Sequence, residues 1–224
     1  MDYLSKQESR RVAGLYDARI AEHGLTVDAL KSGGAGKQWV RHAVHAEAFD
    51  LNGLHVLDVG CGIAMFYRFL RRRGVTPASY TGIDIVPDFL EANRAAFPEA
   101  RFLSMDIFND PLDDLRPDVV FMSQVFNNKY DTADNEAVAR AAVARFFGAA
   151  RVGLVIDFMS TYVDWQDADL HYFNPEQTFA FGKTLTRFVE TRHDYLPFEH
   201  TLILRKAPRF AIPDDATARE AYEP

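Results

Sequence analysis

The run His55-Val56-Leu57-Asp58-Val59-Gly60-Cys61-Gly62-Ile63-Ala64-Met65-Phe66 constrains the fold more than any other stretch of this chain. Val56 to Val59 reads as a short buried parallel strand. It runs directly into Gly60-Cys61-Gly62, and a helix-compatible segment from Ala64 to Arg73 follows. A strand that breaks on glycines and re-enters as a helix aims backbone N–H groups and a positive helix end at a ligand. The glycines let that ligand come close to the backbone. Such a turn binds nucleotides, and Asp58, two residues before the first glycine, narrows the choice of nucleotide.

The dinucleotide fingerprint G-x-G-x-x-G of nicotinamide and flavin proteins requires a third glycine where Met65 stands, so that pattern fails. The sequence beyond the turn is more informative. Tyr80-Thr81-Gly82-Ile83-Asp84 reads as a second strand ending in an acid. Asp84 lies roughly 25 residues past the loop, near the separation at which an acid meets ribose hydroxyls in nucleotide-binding βαβ units. Arg101 to Ile107 contains a third strand, with Asp106 just past its end. Asp118 to Ser123 is a fourth, opening into Gln124-Val125-Phe126-Asn127-Asn128.

Four strands in this order, each ending in the matching residue type, resemble the class I S-adenosylmethionine (SAM)-dependent methyltransferase family, whose loop reads acidic-x-G-x-G-x-G. Asp58, Gly60 and Gly62 match it, and Ala64 replaces the third glycine. SAM carries an ammonium and a sulfonium and no phosphate, so a carboxylate beside the loop attracts it. The resemblance covers roughly Leu54 to Lys206 and implies roles for single residues. Asp58 acts on the methionine amine through water or backbone, and Gly60, Cys61 and Gly62 line the methionine moiety. Asp84 accepts the two ribose hydroxyls, and Ile85 touches adenine. Asp106 accepts the adenine amine with Ile107 on the ring. Ser123 and Gln124 lie near the methionine part. S-adenosylhomocysteine (SAH) is the product.

The implied fold is α/β: a Rossmann-like, doubly wound, mostly parallel seven-stranded sheet with a reversed last strand, plus N-terminal helices. The alternation of strands (55–59, 80–84, 101–104, 118–122, 152–157) with helices (64–73, 87–96, 133–147) supports it. Leu185–Asp194 and Glu199–Arg205 are strand-like runs joined by a short connection, and therefore antiparallel neighbours. We expect one domain over 1–224, with a helical lid at 1–50, the core at 54–206 and a loose acidic tail at 208–224. Within the lid, Ser5–Ala21 and Lys37–Phe49 have helical apolar spacing on either side of Gly33-Gly34-Ala35-Gly36. Tyr16, Lys37, Gln38 and Arg41 are its candidates for closing over the cofactor, because a SAM carboxylate needs a cation or an amide.

Composition bounds the partners. A net charge of −7 argues against nucleic acid bound through its phosphates. The local basic run Arg68, Arg71, Arg72 and Arg73 suits a helix C-terminus. Cys61 is the sole cysteine, which excludes an internal disulfide, and no zinc or other metal site is expected. No apolar run is long enough to span a membrane, and the first residues carry no apolar signal core, so the expectation is a cytoplasmic monomer or homodimer.

The acceptor is expected to be a small molecule, methylated on oxygen or nitrogen. Ser123-Gln124-Val125-Phe126 stands where amino-methylating DNA and protein-glutamine members carry an Asn/Asp-Pro-Pro-aromatic tetrad. Loops after the fourth and fifth strands supply the candidates: Asn127, Asn128, Lys129 and Tyr130, then Asp157, Ser160, Tyr162, Asp164, Trp165, His171 and Tyr172. His171, in an aromatic-rich loop, is the first choice for a general base because imidazole titrates near neutrality. His193 and Asp194 are adjacent in a strand and point to opposite faces. His42 and His45, at i and i+3 on one helix, read as structural or lid residues. Another SAM-fold activity and a non-catalytic SAM-binding scaffold are the alternatives.

Overall fold

The computed structural model describes residues 4–108 and 110–220, so residues 1–3 of the expected lid and 221–224 of the expected tail lie outside the described residues. The chain begins with helix α1 (Lys6–His23), a 3-10 turn (Val27–Leu30) and α2 (Ala35–Glu47). Then follow β1 (His55–Val59), α3 (Met65–Arg72), β2 (Ser79–Asp84), α4 (Pro87–Ala96), β3 (Arg101–Ser104), β4 (Val119–Met122), α5 (Asn135–Ala149) and β5 (Gly153–Met159). Helix α6 (Pro175–Leu185), β6 (Phe188–Arg192), β7 (Glu199–Arg205) and a short α7 (Asp215–Glu220) complete it.

The seven strands form one sheet in the order β3-β2-β1-β4-β5-β7-β6. β1 pairs in parallel with β2 and β4, and β4 with β5. β7 is inserted antiparallel between β5 and β6. The expected reversed strand is therefore present. Strand alternation divides the core in two. Leu57, Val59, Leu154 and Ile156 pack with Val138, Ala142 and Phe146 of α5 on one face. Val56, Phe121 and Val155 pack with Phe66, Phe69 and Leu70 of α3 on the other. Asp58 and Asp157 share the strand parity of this second set and point toward α2 and α3.

Local chemistry sets the helix starts. Ser5, Asp134 and Asn174 cap α1, α5 and α6 by accepting N–H bonds from Glu8, Glu136 and Gln177. The reading from sequence misses α6, although Asn174-Pro175 is a cap followed by proline at the first helical position. Because α6 runs to Leu185, β6 starts at Phe188 and not at the expected Leu185. In the tail, Phe210 and Ile212 are exposed. Among the described residues no helix is long and apolar enough to cross a membrane.

Candidate functional site

The site is built around the turn that leaves β1. Gly60 and Cys61 donate their N–H groups to Ile83 O at 2.8 and 3.1 Å, fastening the turn to the end of β2. Gly62 N–H donates to Asp84 Oδ2 at 2.8 Å. Gly60 and Gly62 have φ of 70° and 49°, which glycine adopts without strain. A Cβ at these positions would lie 2.9 Å from Val125 Cγ2 and 2.8 Å from Leu30 Cδ2, respectively.

Beyond the carboxyl ends of β1, β2 and β4 lies a cavity of about 360 Å³. Ligands of open α/β sheets occupy this position. From the sheet side it is lined by Asp58, Gly60, Cys61, Gly62, Asp84, Ile85, Asp106, Ile107, Ser123 and Gln124, and from the N-terminal segment by Tyr16 and Gln38. The structure thus brings together twelve of the fourteen residues expected around the cofactor. The remaining wall is mostly apolar, with Val12, Met65, Phe89 and Phe126 among its side chains, and no Lys or Arg is among the described lining residues.

Lys37 does not line the cavity, and neither does Arg41. Arg41 is 2% exposed and turned away from the cavity into a bidentate pair with Glu199, Nε to Oε2 at 2.5 Å and Nη2 to Oε1 at 2.7 Å. Its charge is neutralised there, so it is not a free cation for a carboxylate. Sequence gives no signal for Glu199, which lies across the sheet on β7.

Next to this pair, Asp157 accepts from Ser123 Oγ at 2.7 Å and from the backbone N and Nε2 of Gln124 at 2.8 and 2.6 Å. His45 Nε2 lies 3.0 Å from Asp157 Oδ2, a close contact without the alignment of a full hydrogen bond. Burial pushes the Asp157 pKa up, but His45, Arg41 and Ser123 outweigh it and hold the carboxyl at about 2. Gln124 has φ of 60°, an uncommon value outside glycine, and is held by Asp157, by Glu199 at 3.3 Å and by Asn127 Nδ2 at 2.8 Å. His42 and His45 also line the cavity. Burial, reinforced by His45, lowers the His42 pKa to about 3 and keeps it neutral.

Of the acceptor candidates, Tyr130 alone is among the described residues that line the cavity. The 160–173 loop is fastened outside it by an Asn128–Leu170 bridge, a Ser160–Phe173 bridge and His171 N–H to Asn127 O at 2.9 Å. His171 packs on Phe173 with ring centres 4.6 Å apart, and its Nε2 lies 3.8 Å from Glu136. Tyr162 donates to Glu176 at 2.5 Å, Tyr172 Oη accepts from Asp167 N–H at 2.8 Å, and Trp165 is 69% exposed. Asn127 and Asn128 are buried and support Gln124 and Tyr16 from behind. These five residues and His171 are thus not among the residues that line the cavity. Tyr130, from the same 127–130 segment, does reach the cavity. Among the described residues no cluster of His, Cys, Asp and Glu could hold a metal ion.

Sheet order, glycine turn and strand-end acids together define a nucleotide-binding α/β domain of the methyltransferase type. Residues 56–145 match the family model described as "Methyltransferase domain". A malonyl-[acyl-carrier protein] O-methyltransferase of Serratia marcescens is 33% identical over 106 residues, which are 47% of this chain and 38% of that protein. The match thus spans under two-fifths of that relative's length. The DhpI–SAH complex superposes with a TM-score of 0.65 at 15% identity, over 92% of this chain and all of that one. The [4+2]-cyclase SpnF gives 0.61 at 16% identity, over 82% of this chain and 74% of that one. The fold is therefore shared with a cyclase and does not by itself fix a reaction. Over residues 56–145 the chain is thus similar to SAM-dependent methyltransferases, and it shares their fold.

Asp58 generates a pH dependence. Burial, with a smaller contribution from Asp84, raises its pKa to about 7 against the hydrogen bond from Tyr80 Oη. The folded value lies above the reference value of 3.8, so the fold is favoured by protonated Asp58. That contribution is complete below about pH 4 and disappears as pH rises through 7. Asp58→Asn should therefore flatten the stability curve. Between pH 4.5 and 7.5 the wild type should lose up to about 3 kcal/mol relative to the variant, measured by urea unfolding. Parallel curves for the two proteins would contradict the shift.

Proposed function

We propose that this chain transfers a methyl group from SAM to a small-molecule acceptor on oxygen or nitrogen. One observation carries the reading: a single cavity gathers Asp58, the glycine turn, Asp84 and Asp106 and has no described Lys or Arg in its wall. That charge pattern suits a ligand with an ammonium and a sulfonium and is unfavourable for a pyrophosphate. Two buried oxygens, Ser32 Oγ and Gln38 Oε1, have no partner in the protein and line the same space. A buried polar atom without a partner costs about 1–3 kcal/mol, and a polar ligand would satisfy both.

The residues divide the work. Asp84 spends one lone pair on Gly62 N–H and another on Val86 N–H at 3.0 Å. Ile85 N–H takes a further share, and since a carboxylate has about four acceptor sites, capacity toward the ribose remains. Asp106 and Ile107 take the adenine edge and face, with Ile85 beside them. Asp58, the 60–62 backbone, Ser123, Gln124, Gln38 and Ser32 surround the methionine end, with Tyr16 over the top. When bound, SAM supplies a methyl group already activated by its sulfonium. The protein then orients the acceptor in line and excludes water. Val12, Met65, Phe89 and Phe126 make the wall dry. The proton of an O–H or N–H acceptor passes to His45, which faces the cavity and is held by ionised Asp157. The relative's printed name, an O-methyltransferase, supports oxygen as acceptor atom. The acidic chain suits an acceptor that is not a nucleic acid.

Thermal unfolding with SAM, SAH, NAD and NADP in parallel tests the cofactor. SAM and SAH should raise the midpoint and the nicotinamides should not; the reverse pattern would overturn the reading. Asp84→Ala should weaken SAH binding by roughly 1–3 kcal/mol in calorimetry, and unchanged affinity would remove Asp84 from the ribose site. Acceptor screening by SAH release gives the substrate for a further check. His45→Gln should then lower kcat by a factor of about 10²–10⁴ with SAH affinity kept, whereas His171→Gln should leave kcat near wild type. Equal turnover in His45→Gln would exclude it as the base.

A further inference from the structure

The segment 6–30 is a distinct body laid over the cavity. Arg19 of α1 donates from Nε to Ala29 O at 3.0 Å and from Nη2 to Asp28 O, which ties the helix to the 3-10 turn. The inner side of this body, Val12, Tyr16 and Leu30, forms part of the cavity wall. Leu30 sits directly against Gly62. The body joins α2 through Gly33 and Gly34, with φ of 77° and 91°. Two successive glycines in this region make a natural hinge, because large dihedral changes there meet little steric resistance.

At the other end of the segment Glu8 makes the densest set of polar contacts, alongside Arg11 on Lys129 and Asp131 and Tyr16 on Asn128 and Phe89. Glu8 is 2% exposed, and nothing in the local helix requires a buried acid there, since Ser5 already caps α1. Its Oε1 accepts from Arg11 Nε at 2.7 Å and from Asp131 N–H at 3.2 Å. Its Oε2 accepts from Thr132 N–H at 3.2 Å and Thr132 Oγ1 at 2.8 Å. Arg11 extends the join by donating from Nη2 to Lys129 O at 2.8 Å. A carboxylate is buried at heavy cost unless its oxygens are satisfied, and here most of the partners come from the 129–132 loop. That loop also carries Tyr130 into the cavity wall. The catch therefore joins two separate parts of the wall.

We propose that residues 6–30 are a strap over the cavity, hinged at Gly33-Gly34 and caught by Glu8 on the 129–132 loop, and that ligand enters and leaves when this catch opens. Glu8 is thus a positioning residue that controls exchange without touching ligand. The proposal rests on the methyltransferase reading only for the identity of the ligand.

The test uses the full chain, with SAH as probe and two readouts. Stopped-flow displacement of SAH gives its dissociation rate, and hydrogen exchange without ligand gives the protection of α1. Glu8→Ala should raise the dissociation rate at least about tenfold, from the loss of hydrogen bonds to a charged group. Exchange should rise in α1 and stay unchanged in β1 and β4. Thr132→Val, a milder change, should shift both readouts in the same direction by less. An unaltered dissociation rate in both variants would overturn the proposal. So would unaltered α1 exchange, or a loss of protection spread evenly over the sheet, which would make Glu8 a general stability residue. If the wild type binds no SAH, the methyltransferase reading fails, and the exchange pattern alone decides on the strap.

Discussion

The hydrogen bond from Gly62 N–H to the Asp84 carboxylate, 2.8 Å long, is the contact on which the rest of the site depends. It joins the turn after β1 to the end of β2, beside the bonds from Gly60 and Cys61 to Ile83 O. Those bonds fix where α3 begins and which way the backbone N–H groups face. They also fix the Asp84 carboxylate with part of its accepting capacity unspent. Gly62 is at the same time the surface on which Leu30 rests. Sheet, cavity and N-terminal segment meet at this one residue.

Charge organises the space around that turn. Two basic side chains of the N-terminal helices are held by acids: Arg41 by Glu199 and Arg11 by Glu8. Asp157 is kept ionised by His45 and Arg41, whereas Asp58 and Asp84 are pushed upward by burial. The wall therefore presents acids, amides and neutral imidazole to a ligand. A bound cation would relieve the burial of Asp58 and Asp84 together, so binding energy and the cost of these buried acids are coupled. Charge recognition in this cavity follows from which basic side chains have been used up elsewhere.

The difference between what sequence discloses and what it conceals follows from chain distance. The acids at the strand ends are legible because strand, turn and helix are local, and period-two alternation assigns Asp58 a face. The reversed β7 is legible from two strand-like runs and a short connection. The Arg41–Glu199 pair joins residues 158 apart and has no local signature. His45 reads as a structural residue because its partner, Asp157, comes from a strand far along the chain. His171 fails as a cavity residue for a related reason. Aromatic composition suggested a lid, but backbone bonds to Asn127 and Asn128 hold its loop against the outside of the site. Gln38 and Arg41 lie three residues apart on one helix, yet one enters the cavity and the other turns to β7, a choice made by Glu199 alone.

The central claim is that this cavity holds SAM by the acids at the ends of β1, β2 and β3. A crystal structure of the full chain with SAH bears on it most directly. Adenosine is expected between Ile85 and Ile107, the ribose hydroxyls on Asp84, the adenine amine on Asp106, and the homocysteine end against Gly60–Gly62 and Gln38. Density for SAH at another place, or in this cavity with Asp84 and Asp106 free of contact, would contradict it.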